Sequence, residues 1–354
     1  MNRRTPGWFL LFCLSSVCSL ACLQGKETIG KHTALGTEFY FRTDQDRAIE
    51  EYYSLGAEIK LYIEPTDRWK FKLELDAGTD SVKAEEIWGK HRTPHTSLKL
   101  GTFENNLLLD DRISSRESLF AADNAVRTRM NLMGWYSPAA TGAEFGWDQA
   151  GKLPGGYVHL FLNAAGSEFM AVTGLDFSCG ENGPSAGVTG AYYPYIIHDL
   201  WVDDSASHTR DHYFLFNAFL ADLADEKRLL YKMEVTAGTN LIDPIGYIHY
   251  PGDSGVSWFF GTDLSAGYTF QSEKDDFRWT PGLGASFLIH DLTAAETNSA
   301  EIRLGSRLSW HDRFYMHFDL GIRIETLYDT DEDYDPYLAT ELEALCGISV
   351  QVHI

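Results

Sequence analysis

The sequence predicts an all-β protein: a transmembrane, antiparallel, up-and-down β-barrel of about 16 strands, with one long loop folded into the lumen. Three observations lead to this prediction. Apolar and polar residues alternate over long segments. The charged residues of a segment occupy every second position, that is, either its odd-numbered or its even-numbered positions, which we call one parity of the segment. The segments that connect the predicted strands alternate between short and long. After the N-terminus, no apolar run reaches the roughly 20 residues that a membrane-spanning helix needs, so a span would have to be a closed barrel.

The C-terminal residues 337–354 show the alternation most clearly. One parity is apolar except for Thr340, whereas the other carries residues such as Glu343 and Gln351 and is interrupted by Leu345. A period of two indicates a β-strand with one apolar and one polar face. The segment is also much longer than the usual strand of about 5–6 residues. This length favours a barrel strand in lipid, and the alternative is a long strand of a soluble sandwich.

Residues 300–310 and 313–327 repeat the pattern on either side of a tight turn at His311-Asp312. His317, Asp319 and Arg323 share the polar parity of the second segment. A soluble barrel fills its interior with apolar side chains. Charge on one face in strand after strand, with apolar residues on the other, therefore favours a water-filled membrane barrel.

The other predicted strands extend over most of the chain. Short connections at 65–68, 221–227 and 271–276 alternate with long ones at 194–210, 239–255, 291–299 and 329–336, and a charged loop is predicted at 42–51. This alternation is typical of periplasmic turns and extracellular loops. Tryptophans near the predicted strand ends fit interfacial girdles, namely Trp69, Trp135, Trp201, Trp258, Trp279 and Trp310. The strands are expected at 33–41, 52–63, 69–77, 83–89, 96–103, 141–148, 155–162, 168–177, 186–193, 211–220, 228–237, 256–270 and 277–290.

The N-terminal residues 1–24 are predicted to be a secretory signal, because Arg3 and Arg4 precede an apolar run that ends in small residues. Residues 25–354 would then be the outer-membrane barrel. Residues 19–22 also loosely resemble a lipoprotein processing site, with Cys22 as the lipidated residue. The formal net charge of −22 excludes a nucleic-acid partner, which would need a basic surface. No cofactor is expected, and the acidic loops are the candidates for weak binding of divalent cations.

The segment 104–139 is too long for an ordinary connection. It carries apolar residues that need a surface to pack on, and the barrel interior is available. We therefore expect an inward constriction loop. Its charged residues are the candidate pore-constriction site: Asp110, Asp111, Arg112, Arg116, Glu117, Arg127 and Arg129.

Part of the chain resembles a known family. The sequences Leu100-Gly101-Thr102-Phe103, Leu109-Asp110-Asp111 and Ser114-Ser115-Arg116, followed by Phe120, resemble the strand-and-loop signature of phosphate-selective porins of the O/P type. Asn163-Ala164-Ala165-Gly166 resembles the end of another strand of that family. The resemblance covers about residues 96–166, and it implies a barrel whose inward loop narrows the channel. The basic ladder of the family is not evident.

These observations predict a porin of the bacterial outer membrane that forms a diffusion channel for small hydrophilic, charged solutes. The alternative is a secreted or lipid-anchored β-sheet surface protein that binds a host or glycan ligand. We expect no enzyme, because Gly252-Asp253-Ser254-Gly255 has no recognisable histidine partner motif. Expected partners are membrane lipid, the solutes and the barrel-assembly machinery, which would bind the C-terminal strand. A homo-oligomer is left open.

Overall fold

The structure of the chain is a computed structural model. It describes residues 27–28, 33–46, 49–78, 82–104, 107–109, 112, 118–120, 124–132, 140–151, 153–162, 169–178, 183–202, 205–223, 227–239, 258–272, 276–292, 295–311, 313–330 and 336–353. The predicted signal segment 1–24 lies outside these residues, as do the Gly252-Asp253-Ser254-Gly255 motif and residues 331–335 of the predicted acidic loop at 329–336.

The described residues form eighteen strands, of which sixteen are long and two, β1 and β14, have two and three residues. Among the described residues there is also a helix, α1, at Ala125–Leu132. The strands are β1 (Glu27–Thr28), β2 (Thr33–Asp46), β3 (Ile49–Thr66), β4 (Trp69–Gly78), β5 (Val82–Arg92), β6 (Thr96–Phe103), β7 (Ala140–Trp147), β8 (Gly155–Leu162), β9 (Phe169–Ser178), β10 (Ser185–Val202), β11 (Ser205–Asp222), β12 (Leu229–Thr239), β13 (Trp258–Tyr268), β14 (Phe270–Ser272), β15 (Phe277–Ile289), β16 (Asn298–Trp310), β17 (Phe314–Thr330) and β18 (Pro336–His353).

All the long strands lie in one antiparallel sheet with up-and-down order. Each long strand pairs with the next one in the chain, and β13 pairs directly with β15. The last strand, β18, pairs with β2 from Ile348↔Thr43 to His353↔Glu38, so each long strand has a neighbour on both sides. The predicted all-β, antiparallel fold with sixteen long strands in the described residues is confirmed.

Strand boundaries agree best where the hydrophobic alternation is strong, and β6 and β8 begin and end at the predicted residues. Two predicted loops are wrong. The loop at 42–51 is mostly strand, because β2 continues to Asp46 and β3 begins at Ile49. The loop at 194–210 is the tip of a long hairpin, since β10 ends at Val202 and β11 begins at Ser205. In both cases backbone pairing continues beyond the apolar pattern, which had defined the predicted ends.

The two faces of the sheet differ as the alternation predicts. On β16, Ile302 and Leu304 are 59% and 64% exposed, whereas Glu301 and Arg303 are 1% and 3% exposed. Successive side chains of a strand point to opposite faces. The outer face is therefore apolar, and the inner face carries the charges.

Aromatic side chains lie on the outer face near both ends of the strands. Trp69 is the first residue of β4 and stacks on Phe71, while Trp310 ends β16. Trp258 begins β13 and stacks on Phe216, near the opposite end of the sheet. These positions and that of Trp279 agree with interfacial girdles. The side chains of Trp135 and Trp201 lie outside the described part of the chain.

Within the part of the chain that the structure describes, no helix combines the length and the apolar character needed to cross a bilayer. The helix α1 has eight residues. It contacts β13, β15 and β16, so it lies against one side of the sheet rather than apart from it.

Candidate channel lining and the segment between β6 and β7

The segment between β6 and β7 contains α1, whose start follows from its sequence. Asn124 is 3% exposed, and its side-chain oxygen accepts a hydrogen bond from the backbone N–H of Arg127 at 2.9 Å. Asparagine is among the preferred residues at this capping position, because its side chain satisfies a backbone donor that the first helical turn leaves free. Asn124 therefore fixes where the helix begins.

Apolar residues of the segment pack on the inner face of the sheet. Leu107, Leu108, Val126 and Met130 belong to one buried cluster, together with residues of β6, β8, β9, β10, β11, β13 and β15. In β8 the cluster member Phe161 is 1% exposed. Its neighbours Leu160 and Leu162 are 52% and 50% exposed, so the segment contacts the face opposite to the apolar outer one. The strand members of the cluster are Phe103, Tyr157, Phe161, Val172, Ala191, Tyr213, Leu215, Phe259 and Leu288.

Arg112 joins the segment to three adjacent strands. Its Nη1 donates to Asp176 Oδ1 at 2.6 Å, and its Nη2 donates to the hydroxyl groups of Tyr157 and Thr189. The guanidinium also lies 5.0 Å from the ring centre of Tyr157 and 5.2 Å from that of Phe219. The guanidinium group of an arginine presents several N–H donors in one plane, so it can bond to acceptors on different strands at once. The single ammonium group of a lysine cannot reproduce this arrangement.

A second polar contact involves Leu109, whose carbonyl oxygen accepts a hydrogen bond from the backbone N–H of Arg112 at 2.9 Å. The backbone N–H of Leu109 donates to Glu234 Oε1 at 2.7 Å, and Asn217 Nδ2 donates to the same oxygen at 2.8 Å. Glu234 is 3% exposed. Because a buried carboxylate is costly without hydrogen bonds, these donors stabilise Glu234 and hold residue 109 against β11 and β12.

Charged residues of the inner face form a first cluster across β3–β8. Lys60 lies 3.0 Å from Glu74, and Lys72 contacts both Glu74 and Glu86. Farther along, Glu144 is approached by Lys99 at 2.9 Å, Lys90 at 3.3 Å and the His159 ring at 3.1 Å. Lys90 and Lys99 are directly opposite each other on adjacent strands. Like charges in this position repel each other, so Glu144 offsets a local excess of positive charge.

A second cluster lies across β12–β18. Glu301 accepts a hydrogen bond from Arg323 Nε at 2.9 Å, and its carboxylate forms ion pairs with Arg323 Nη2 at 2.8 Å and with Arg303 Nε at 2.6 Å. Glu343 lies 3.6 Å from Arg323, and Lys232 lies 2.7 Å from Asp263. Buried charges are tolerated when they are paired in this way. The described wall thus alternates between positive and negative groups.

The structure describes two of the predicted constriction side chains, those of Arg112 and Arg127. Asp110, Asp111, Arg116 and Glu117 lie outside the described residues, and so does the side chain of Arg129. Glu144 and Glu301 were not among the predicted constriction residues. Their positions on the polar parity predict that both side chains lie on the inner face. Their ion-pair partners could not be predicted, because these depend on the register of the neighbouring strands.

Histidine and carboxylate side chains are candidate ligands for a transition-metal ion. His212 is on β11, where its ring stacks on Tyr192 and its Nδ1 lies 2.8 Å from the Tyr192 hydroxyl. Across the described residues, histidine, cysteine, aspartate and glutamate form no group of three or more arranged to hold a metal ion.

No family model matches the chain, and no curated protein matches it. Solved structures do match over most of its length. One is OprB of Pseudomonas putida at high pH, with 11% identity, coverage of 96% of this chain and 97% of that chain, and a TM-score of 0.59. The chain has the fold of an outer-membrane porin.

Two further structures agree. An anion-selective porin from Comamonas acidovorans has 10% identity, coverage of 91% of this chain and 99% of that chain, and a TM-score of 0.56. The trimer form of OmpT, an outer membrane protein of Vibrio cholerae folded in vitro, has 9% identity, the same coverage and a TM-score of 0.59. Structural similarity at such low sequence identity shows a shared fold and nothing more specific. The predicted outer-membrane barrel is confirmed, and the phosphate-selective O/P type stays a prediction.

Proposed function

We propose that the chain forms a water-filled diffusion channel in the bacterial outer membrane for small hydrophilic, charged solutes. The observation that carries the proposal is the polarity of the two faces of the sheet. On β17, His317 and Asp319 are 1% and 0% exposed, whereas Phe318 and Leu320 between and beside them are 39% and 48% exposed. A charged inner face and an apolar outer face are typical of water-filled membrane barrels.

The alternative, a soluble surface protein, accounts poorly for the outer face. Large apolar side chains are exposed along neighbouring strands, as Leu283, Leu304 and Leu320 show at 54%, 64% and 48%. These three residues are paired directly across β15, β16 and β17, so they form a continuous patch. Soluble monomers rarely expose apolar patches larger than a few hundred Å². Lipid is the partner that such a face suits, and we propose a channel rather than an enzyme.

We further propose that the segment 104–139 narrows this channel. The contacts of its described residues with the inner face of β8–β12 support this placement. Screening acts over about 8 Å at physiological salt, so the charges nearest the narrowest point control passage. The proposed constriction charges are Asp110, Asp111, Arg112, Arg116, Glu117, Arg127 and Arg129.

Arg112 and Arg116 have different roles in this proposal. Arg112 contacts Asp176, so we assign it to holding the segment against the wall. Arg116 is the group that contacts an anionic solute, because its guanidinium can make paired hydrogen bonds to planar or phosphate-like anions.

Reversal potentials across a planar bilayer under a salt gradient test these roles. Arg116→Ala should increase cation preference, and Arg116→Lys should restore the reversal potential of the parent, because selectivity between simple salt ions needs the positive charge and not the paired hydrogen bonds. Arg112→Ala should change the conductance. Arg112→Lys should not restore the conductance of the parent, because lysine cannot reproduce the contacts of the guanidinium with Asp176, Tyr157 and Thr189. Parent values of conductance and reversal potential in all four folded variants would contradict the proposed constriction.

Three partner proposals accompany this function: outer-membrane lipid, the barrel-assembly machinery at β18, and further copies of the chain. The trimer form of the OmpT structure supports the last of these. The mass of the detergent-solubilised protein, measured by light scattering with the detergent contribution subtracted, checks it. A monomer at every protein concentration would contradict a homo-oligomer.

A further inference from the structure

The inner face of β15 and β16 lacks side chains where Phe120 of the segment approaches it. A Cβ atom built on Gly284 would lie 2.8 Å from the Phe120 ring, and one built on Gly305 would lie 2.7 Å from it. Carbon atoms in van der Waals contact are about 3.5–4.0 Å apart. Any larger residue at either position would therefore displace the ring.

Leu119 lies on adjacent glycines. Its Cδ2 would be 2.9 Å from a Cβ on Gly267, and its Cβ would be 3.8 Å from a Cβ on Gly282. Gly267, Gly282 and Gly305 are directly paired across β13, β15 and β16. We call Gly267, Gly282, Gly284 and Gly305 the glycine strip. Glycine within strands often marks the place where another backbone or a ligand approaches closely.

Contacts with Ser118 and Arg303 fix the orientation of Phe120. The Ser118 hydroxyl donates to the Phe120 carbonyl at 2.8 Å and accepts from the Phe120 N–H at 3.3 Å, which closes a local turn. The Arg303 guanidinium lies 4.5 Å from the centre of the Phe120 ring and is itself held by Glu301 at 2.6 Å. A guanidinium at this distance from an aromatic ring is attracted to it.

We propose that Leu119 and Phe120 are positioning residues that dock on the glycine strip and thereby set the open cross-section of the channel. The inference rests on the proposed channel function. Arg112 holds the segment on β8–β10, and the glycine strip holds it on β13–β16, in addition to the apolar contacts of Leu107, Leu108, Val126 and Met130. Release at the glycine strip leaves the contacts of Arg112 in place and widens the passage.

A disulfide tests the contact directly. The distance of 3.8 Å between the Cβ of Leu119 and a Cβ on Gly282 matches the mean of about 3.8 Å for disulfides. A Cβ on Gly282 also lies 3.2 Å from the Ala266 carbonyl oxygen, which requires only a small shift. The variant L119C/G282C in a C179S/C346S background should therefore form an intramolecular disulfide on oxidation, seen by peptide mapping of the folded, heat-modifiable protein.

The matched control moves the second cysteine by one residue. Leu283 is 54% exposed and lies on the outer face next to Gly282. The variant L119C/L283C should form no disulfide, because the two thiols are on opposite sides of the sheet. A disulfide with residue 283 and none with residue 282 would overturn the inferred docking site.

Single-channel conductance then tests the role of docking. In L119C/G282C/F120A, the reduced protein has lost the ring and should conduct more than the C179S/C346S parent. Oxidation should return the segment to the wall and lower the conductance toward the parent value, and reduction should reverse the change. A purely structural role for Phe120 would not make conductance depend reversibly on the disulfide.

The outcomes separate the inference from the proposed function. If the disulfide forms but oxidised and reduced channels conduct equally, docking does not set the cross-section, although the channel stands. If the parent protein, folded and inserted, conducts no current, the proposed channel function itself fails. If neither cysteine pair is oxidised in the folded protein, the docking of Leu119 on the glycine strip is wrong.

Discussion

An arginine on the outer face near the middle of β16 should destabilise the folded barrel strongly. Leu304 is the middle residue of Asn298–Trp310, is 64% exposed and lies among apolar neighbours on the outer face. An arginine at the bilayer midplane of a membrane barrel costs about 2–4 kcal/mol, and one near the interface costs about 0–1 kcal/mol. The difference of about 1–4 kcal/mol corresponds to a change of roughly 5-fold to 1,000-fold in the folding equilibrium constant.

Trp310 provides the matched position at the edge of the membrane. It lies six residues beyond Leu304 on the same face. With a rise of about 3.4 Å per residue and a tilt of about 40°, this separation is about 15 Å along the membrane normal, more than half of an apolar band of about 25 Å. If Leu304 is near the midplane, Trp310 lies at the interface.

The assay compares arginine with alanine at each position, so that the loss of the original side chain cancels. Guanidinium titrations of the protein in lipid vesicles, followed by heat-modifiable migration, give the free energies of unfolding. Leu304→Arg should cost about 2–4 kcal/mol relative to Leu304→Ala, and Trp310→Arg about 0–1 kcal/mol relative to Trp310→Ala. Equal costs at both positions, or no cost at residue 304, would refute the assignment of this face to lipid.

Three further predictions concern the paired charges and the N-terminus. Glu301→Gln should lower the free energy of unfolding by about 3–5 kcal/mol, because Glu301 is buried between two arginines. Glu343→Gln should lower it by only about 0–1 kcal/mol. The same loss for both variants, measured by chemical denaturation, would contradict this prediction. Glu144→Gln should shift the reversal potential toward anion preference, because two lysines lose their shared carboxylate, whereas the rim variant Glu64→Gln should not; an unchanged potential in both variants would count against it. N-terminal sequencing of the envelope protein should begin between about residues 19 and 26, as signal length implies, and a start at Met1 would disprove export with cleavage.

The faces of the strands could be predicted from the sequence because the apolar pattern is local. Arg303 and Leu304 differ in parity, and the structure places one at 3% and the other at 64% exposure. The long hairpin of β10 and β11 was missed at its tip, where backbone pairing such as Val202↔Ser205 continues although the sequence no longer alternates between apolar and polar residues. The apolar pattern of a sequence reveals a strand only where one face of the strand is buried, so it cannot reveal backbone pairing that continues beyond the buried part.

The contacts of the candidate site were less accessible from the sequence. That Glu144 is charged and on the polar parity could be read directly, but its contacts with Lys90, Lys99 and His159 require the registers of four strands. The glycine strip left no sequence signal either, because glycine contributes no polarity pattern. The approach of Phe120 to Gly305 depends on the path of a segment that crosses between distant strands.

Block of the conductance by a charged thiol reagent tests most directly whether the inner face bounds a water-filled passage. Glu341 and Leu342 are adjacent on β18 and belong to opposite parities; Leu342 is 67% exposed on the outer face. In the C179S/C346S background, the reagent should lower the single-channel conductance of Glu341→Cys in one step and leave that of Leu342→Cys unchanged. A current blocked equally in both variants, or the absence of any current from the folded and inserted protein, would contradict the account.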